Sequence, residues 1–572
     1  MTPAPATTSP APLPERTTIL VVGGGPCGLM LANELGRRHV PLVLINDKLT
    51  TAVNPQANAT QARTMEHYRR LGFADEIRSQ GLPADFPTDI AYFTRYARHE
   101  LARFSLPSAS QARTAITQLS GSWSAAELPH RVSQKFVEVV LHSHALRHAS
   151  NTLAYGWRLL TFEDTGTEVR AELEHVLDGR RHHIRADYLV GADGPRSTVR
   201  RQLGYRYNGE TGVVRDFMGG RMFAIYVRCP EFYRVVPHPP AWMNVTFNGE
   251  RRAFMATVDG QGEFAFHTQL HPHESEDAMT EADAKAMFCA AVGVPLQHVE
   301  ILSTGHWTAG HSLVAERFQR GRVFLGGDAA HLFTPAGGLG YNTAVEDAVN
   351  LAWKLAAVAQ GQAAPALLDS YDLERRPVAV RNTAYAKTFA DSLGNFVPPA
   401  DIEADTPAGA AARAVAGDYF HQHGRLEFNI PGVTFGARYD GSPVIVPDDS
   451  PLPPDRANEY TATAKPGGRP PHAWLSETES LYDTFGRDWT LLALNAAADD
   501  VTRWRDAAAR HGVSLTVVQP GAADELQARY AARLTLIRPD QMVAWRGNHG
   551  DTADAVWATV LGYTLVSSQV GQ

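Results

Sequence analysis

The chain has 572 residues, too long for one hydrophobic core, so roughly two to four domains are expected. Its composition, 44% hydrophobic and 20% charged, is that of an ordinary globular protein, and a formal net charge of −8 leaves no basic excess to neutralise phosphates, which argues against a nucleic-acid partner. No apolar run approaches the ~18–20 residues of a membrane span, and Cys27, Cys229 and Cys289 fit neither a disulfide framework nor a zinc site, so a cytoplasmic protein with no membrane partner and no metal is expected.

Residues 1–16 are rich in Pro, Ala and Thr, lack the regions of a signal peptide, and read as a disordered tail. Thr17–Val22 reads as a buried strand, Gly28–Arg38 as a helix and Leu42–Ile45 as a second strand, which together make a Rossmann βαβ unit. Gln61–Leu71, Ser133–Arg147 and Glu346–Ala359 have helical spacing. From Arg215 to Leu270 the runs MFAIYVR, AWMNVTF, RRAFMATV and EFAFHTQ alternate apolar and polar positions, which predicts an antiparallel sheet. Residues 397–472, rich in Pro, Asp, Ala and Gly, read as an irregular connection. Beyond it come a strand at Trp489–Leu494, a helix at Asp499–Arg510, a strand at Val513–Val518 and a helix at Ala523–Ala531. A hairpin of Leu534–Ile537 and Met542–Trp545 around Pro539-Asp540 and a last helix at Thr552–Leu561 complete an order that resembles a thioredoxin-like unit without a cysteine.

Gly23, Gly25 and Gly28 fit G-x-G-x-x-G between strand and helix. In such a turn the first glycine allows the bend, the second lets the backbone approach a diphosphate and the third lets helix and strand pack closely. The residue expected to bond a ribose ~20 residues on is Asn46 or the following Asp47. Tyr188–Arg200 runs from a strand into an Asp193-Gly194 turn, where Arg196 and Arg200 face either a phosphate or solvent. The segment GDAAHLFTPAGGLGYN (Gly327–Asn342) follows a strand at Arg322–Leu325 and opens a long helix. Its glycines let backbone lie against a flat ring, Asp328 is placed to bond a ribityl chain, and the helix N-terminus favours the negative charge of a reduced flavin. Together with the N-terminal fingerprint this predicts bound FAD.

The segments GGGPCG (23–28), ARTMEHYRRLG (62–72), GADGPRSTVR (191–200), GDAAHLFTPAGGLGYNTAVEDAVNLAWKL (327–355), LLDSYDLERRP (367–377) and PGGRPPHAWL (466–475) resemble the class A flavoprotein monooxygenases of the p-hydroxybenzoate hydroxylase fold. The branch of phenol hydroxylase and 2-hydroxybiphenyl 3-monooxygenase is the most similar, over residues 17–390 strongly and 466–565 more weakly. The resemblance implies a discontinuous FAD-binding domain (17–205 and 300–396), an antiparallel substrate-binding sheet domain (206–299), a linker (397–465) and a thioredoxin-like domain lacking a CxxC (466–572). It implies non-covalent FAD, transient reduction by NADH or NADPH, O2 as co-substrate, a C4a-hydroperoxide, and hydroxylation of a small phenolic substrate by a homo-oligomer, dimer or higher.

By the same resemblance Gln56, Gln134 and Pro335, with Gly338, Leu339, Gly340 and Asn342, are expected at the cofactor, and Pro335 also at the substrate. Relatives place an Asp or His that deprotonates the phenol where this chain has Asn58. An amide is no base at neutral pH, so either another group does that work or Asn58 only orients a substrate already activated. Arg221, Trp242, Asn244 and His267 are the polar candidates of the middle sheet, with Trp242, Asn244 and Thr246 expected on one strand face. His267 is the expected substitute base, and His331 is read as structural. A Baeyer–Villiger monooxygenase or epoxidase acting on a polyketide-like substrate shares the fold and is the second reading.

Overall fold

The computed structural model describes residues 13–211, 217–521 and 523–565. The tail expected over 1–16 lies outside the described residues as far as 12, and Leu13 is already buried. The first sheet runs, in spatial order, Gln319–Arg320, Val323–Leu325, Arg181–Gly191, Arg16–Val22, Leu42–Asn46 and Asn151–Tyr155. Along this path all but the first edge strand pair in parallel, an antiparallel branch of Trp157–Asp164 and Val169–His175 joins Arg181–Gly191, and the central strands are almost wholly apolar because both faces are covered. Pro26–Gly36, entered through a proline at its first position, is buried nearly all round because it packs between the sheet and the helices Gln134–Leu146 and Leu339–Ala359.

The second sheet has seven strands in the order Glu300–Ala309, Gly220–Arg228, Glu263–Gln269, Arg252–Thr257, Met243–Phe247, Ile90–Phe93 and Glu100–Phe104. It is antiparallel except where Met243–Phe247 meets Ile90–Phe93. The expected boundary of 206–299 is thus corrected at both ends: two strands come from far upstream and one from 300–309. A sheet completed by distant segments gives no local signal of its edges.

The irregular connection expected over 397–472 is also corrected. It contains the helix Pro407–Phe428 and a short turn of helix at Pro431–Phe435. Thr406 caps the long helix by accepting from the Gly409 amide at 3.1 Å, and its alanines favour helix. Its glycines, which read as loop residues, are contact points. A Cβ on Gly417 would lie 2.6 Å from the Leu101 carbonyl, and one on Gly424 would lie 3.0 Å from Phe104. The helix therefore lies directly against the strand Glu100–Phe104.

The C-terminal sheet orders Leu515–Val518, Trp489–Ala493, Leu534–Ile537 and Val543–Gly547, with one parallel pair and two antiparallel pairs. Trp489, Trp504, Trp545 and Trp557 form its centre, and that core runs on into Trp353 and Leu367 of the first unit. Beside it lies a fully buried seam. Arg538 binds both oxygens of Glu374 (2.7 and 2.8 Å) and also Asp540, while Lys354 donates to Glu374 at 2.7 Å. Two cations face two anions there, so the buried charges balance. Among the described residues no helix is long and apolar enough to cross a membrane.

Candidate active site

The fingerprint glycines do three separate jobs. Gly23 has φ +118°, and a Cβ there would lie 2.1 Å from the Ala192 carbonyl. A Cβ on Gly28 would lie 2.0 Å from the Gly23 carbonyl. Gly25 caps the helix, and a Cβ there would meet no protein atom within 4 Å. Packing therefore demands glycine at 23 and 28, whereas at 25 the missing side chain leaves helix N–H groups open to an incoming anion. The first turn of that helix carries no acidic residue. Asn46 ends its strand in contact with Gly24, beside the Tyr155 hydroxyl, which donates to the Gly24 carbonyl at 3.2 Å. Asp47 instead points to solvent and pairs with Lys48 at 3.6 Å, so of the two expected ribose partners Asn46 alone borders the turn.

The Asp193 turn is a helix cap: its carboxylate accepts from Ser197 Oγ and from the Thr198 and Val199 amides. Arg200 is buried and committed to its own chain. It stacks on Tyr207, 3.8 Å from the ring centre, and donates to the Ala329 carbonyl at 3.2 Å, which steadies the next element of the site.

That element is the turn Gly327–Ala329. Asp347, twenty residues on in the helix, accepts from the Gly327 amide at 3.1 Å and from His331 Nε2 at 2.6 Å, and Arg375 Nε donates to its other oxygen at 2.8 Å. Burial alone would raise its pKa, but His331 and Arg375 hold the carboxyl below its ordinary range. His331 is fully buried, and its place is structural. Asp328 is surrounded by protein, which raises its pKa, yet its side chain opens to solvent.

The loop beyond bends through Gly337 (φ +71°) and Gly338 (φ +63°) into the helix Leu339–Ala359. A Cβ on Gly338 would lie 2.9 Å from the Ala59 side chain, so residues 58–60 lie directly over the loop. Pro335 is exposed, and Gly340 lies under Phe333. Leu339 turns its side chain into the core, so it offers a ligand only backbone. Asn342, expected at the cofactor, is corrected: Oδ1 accepts from the Gln61 amide at 2.8 Å, and Nδ2 donates to the Ala59 and Gly338 carbonyls at 2.9 and 2.7 Å. Its amide is committed to clamping two loops together. Glu427 was missed by sequence reasoning. It accepts from the Gly337 amide at 2.8 Å and comes from the helix hidden in the segment read as irregular; the His423–Glu427 spacing of one helical turn was the available signal.

Gln56 and Gln134 are brought together. Gln134 donates to Gln56 at 3.3 Å and to Glu138 at 2.7 Å, while Glu138 accepts from the Ala52 amide at 2.8 Å. Asn58 Nδ2 donates to the Gln56 carbonyl at 2.9 Å, and its buried Oδ1 has no hydrogen-bond partner among the described residues.

The seven-stranded sheet sorts the remaining candidates by face. Met222, Val245, Phe254 and Trp307 pack in one cluster with Ala336 and Leu339 of the loop. Phe223, Met255 and Phe266 pack on the other face against Phe288 of the helix Glu281–Val292. Arg221 shares the parity of Phe223 and is corrected: it lies on the far face, bound to the His271 carbonyl at 3.1 Å. Asn244, paired with Met255 and Ala91, is corrected likewise; its amide donates to the Ala241 carbonyl at 3.2 Å. Trp242 does not share that face, because the strand begins only at Met243 and alternation does not reach it. Its ring lies in the near cluster, 4.4 Å from the Arg131 guanidinium.

His267 is on the near face, stacked on Phe254 at 4.6 Å. Trp307 Nε1 donates to its Nδ1 at 3.1 Å, and burial lowers its pKa to about 4. The reading of His267 as a base is therefore corrected: the one lone pair that a neutral imidazole offers is already taken.

A glycine turn open to an anion, a second glycine loop entered through the exposed Asp328, and an apolar sheet face over that loop define a class A flavoprotein monooxygenase. The donor set fits FAD, with open helix N–H groups for the diphosphate, Asn46 and Asp328 for sugar hydroxyls, and bare backbone for the ring. Residues 16–386 match the family described as FAD binding domain, and residues 463–563 match the aromatic-ring hydroxylase C-terminal domain. The chain belongs to this family of FAD-dependent aromatic-ring hydroxylases. It is 32% identical to a putative polyketide hydroxylase of Streptomyces halstedii, covering 96% of each chain. It is 28% identical to a phenol 2-monooxygenase of Pseudomonas sp. (strain EST1001), covering 93% of this chain and 90% of the relative. Among solved structures it resembles the rebeccamycin biosynthetic enzyme RebC with reduced flavin, at 31% identity and a TM-score of 0.85, over 96% of this chain and all of that one (100%).

Proposed function

We propose that the chain hydroxylates a phenolic aromatic compound, with NADH or NADPH as reductant and O2 as co-substrate. The observation that carries this reading is the meeting of the glycine loop with an apolar sheet face, with the polar Asn58 beside the loop and His267 on the sheet. FAD, once bound, supplies the hydride acceptance and oxygen activation that no side chain provides. The protein contributes position and dryness. The N-termini of Pro26–Gly36 and Leu339–Ala359 favour negative charge, at the diphosphate and at the ring respectively. Asn46, Gln56, Gln134, Asp328, Pro335 and Gly340 hold the cofactor. Asn58 Oδ1 accepts the substrate hydroxyl and orients it, without taking the proton. The apolar cluster keeps water from the reacting atoms.

Purified protein is expected to be yellow, and its NAD(P)H oxidation is expected to quicken when phenols are added, with product heavier by one oxygen. Colourless protein that does not bind FAD, or oxidation that no phenol stimulates, would sink the proposal. Neither Asn58 nor His267 takes a proton at neutral pH, which favours keeping a Baeyer–Villiger or epoxidation reaction as the second reading. Ring expansion or an epoxide in the product would select it.

A further inference from the structure

The two polar side chains differ in kind, and the difference bears on the substrate of the hydroxylase proposed above. An indole N–H only donates, so Nδ1 of His267 accepts the 3.1 Å bond from Trp307. The proton of the neutral ring then sits on Nε2. Burial is the cause of its lowered pKa, with no charge contributing, so the ring is neutral at physiological pH. Phe254 stacked at 9° and Trp307 set edge-on at 77° hold the ring plane. Nδ1 lies next to Cβ, against the sheet. Nε2 is at the outer edge of the ring, on the face that packs with the loop residues Ala336 and Leu339. Among the described residues its N–H has no acceptor.

The sheet beside this N–H is low on one rung: His267 pairs with Ala224, which pairs with Gly305, while on the next rung Ala265 and Ala256 are flanked by Tyr226 and Met243. A Cβ on Gly305 would meet nothing within 4 Å. A flat ring system therefore has room to lie on the sheet with one edge at Nε2. Asn58, with its amide N–H engaged by Gln56, offers the opposite polarity: a bare acceptor.

We propose that His267 is a substrate-recognition residue that donates from Nε2 to a carbonyl oxygen of the aromatic substrate while Asn58 accepts the substrate hydroxyl, so that the enzyme selects hydroxyaryl ketones over plain phenols. A ketone oxygen satisfies the buried N–H. A substrate with an alkyl group in its place leaves it unpaired, which is the stronger form of discrimination.

The test uses the FAD-loaded enzyme and two probes of similar size whose substituent is remote from the hydroxyl, 6-acetyl-2-naphthol and 6-ethyl-2-naphthol, with binding measured by equilibrium dialysis. The wild type is expected to bind the ketone about tenfold more tightly. His267→Phe keeps a flat ring against Phe254 and should abolish the preference by weakening the ketone alone, leaving the pH profile of kcat unchanged. His267→Gln, which restores a donor, should recover part of it. Trp307→Phe frees Nδ1, lets the proton move between the two nitrogens, and should lower the preference. Equal binding of the probes by the wild type, binding of neither, or loss of an acid limb from the kcat profile in His267→Phe would overturn the inference. Failure of the hydroxylase reading shows differently, as wild-type NAD(P)H oxidation that neither probe nor any phenol stimulates.

Discussion

Two strand–helix–strand units with parallel strands, at Arg16–Asn46 and Trp489–Val518, put the helix N-terminus to opposite uses. In the first, Gly25 caps Pro26–Gly36 and its first turn has no acidic residue. In the second, Ala497 caps Ala498–Arg510, and Asp499 and Asp500 fill the first turn. Asp500 also accepts from the Gly550 amide at 2.7 Å, which fixes its negative charge beside that helix end. Topology is shared, while the few residues at the turn decide whether an outside anion is invited or shut out.

The largest expected effect comes from the seam that joins the units. Glu374→Leu leaves Lys354 buried without a carboxylate and Arg538 with Asp540 alone, and should cost about 3–5 kcal/mol of stability in denaturant unfolding. A cost below about 1 kcal/mol would mean the two units do not depend on the seam.

Gly25→Glu attacks the contrast itself. The side chain enters open space, so unfolding should hardly change, while the carboxylate takes the anion position. FAD affinity should fall by about a hundredfold or more, read by flavin fluorescence, which is roughly 2.7 kcal/mol. Unaltered affinity would show that the turn is not the anion site.

Acid sharpens the comparison of buried charge. Glu66 accepts two bonds from Arg469, one at 3.1 Å, and pairs with Arg63 at 2.9 Å. Against a burial cost that would raise it, these cations lower its pKa from 4.5 to about 2. A depressed carboxyl contributes stability that is fully present above pH 4.5 and is lost as pH falls toward 2. The stability gap between wild type and Glu66→Gln should therefore narrow over that window, by roughly 3 kcal/mol at most. A gap that stays constant would remove Glu66 from the acid response.

The smallest effect belongs to the closed helix end. Replacing Asp499 with Asn should destabilise by about 0.3–1 kcal/mol and leave FAD affinity untouched. Any loss of flavin would tie this helix end to the cofactor after all.

Much of the cofactor side was legible because it is local. The fingerprint and the Gly327–Asn342 loop are short runs in which each glycine answers to a turn or a close approach within a few residues. The substrate side was legible only in part. Parity along a strand separates its two faces but does not say which face meets the site, so Arg221 and Asn244 were assigned to the wrong one. Trp242 was misjudged because alternation holds only inside a strand, and the strand starts one residue later. Asp347 was visible inside the matched motif without a role, since its partners Gly327, His331 and Arg375 meet only in the fold. The helix Pro407–Phe428 stayed hidden because glycine signals a loop in sequence and a close contact in space.

Glu374 and Arg375 are neighbours in one helix, and they face different ways. Glu374 holds the C-terminal unit through Arg538, and Arg375 holds Asp347 under the turn that carries Asp328. The last unit is thus not modular in the engineer's sense. Cutting it away or grafting it from another chain would strip the partner from one residue and disturb its neighbour, so swaps between relatives should be made at boundaries that carry Lys354, Glu374 and Arg538 as a set.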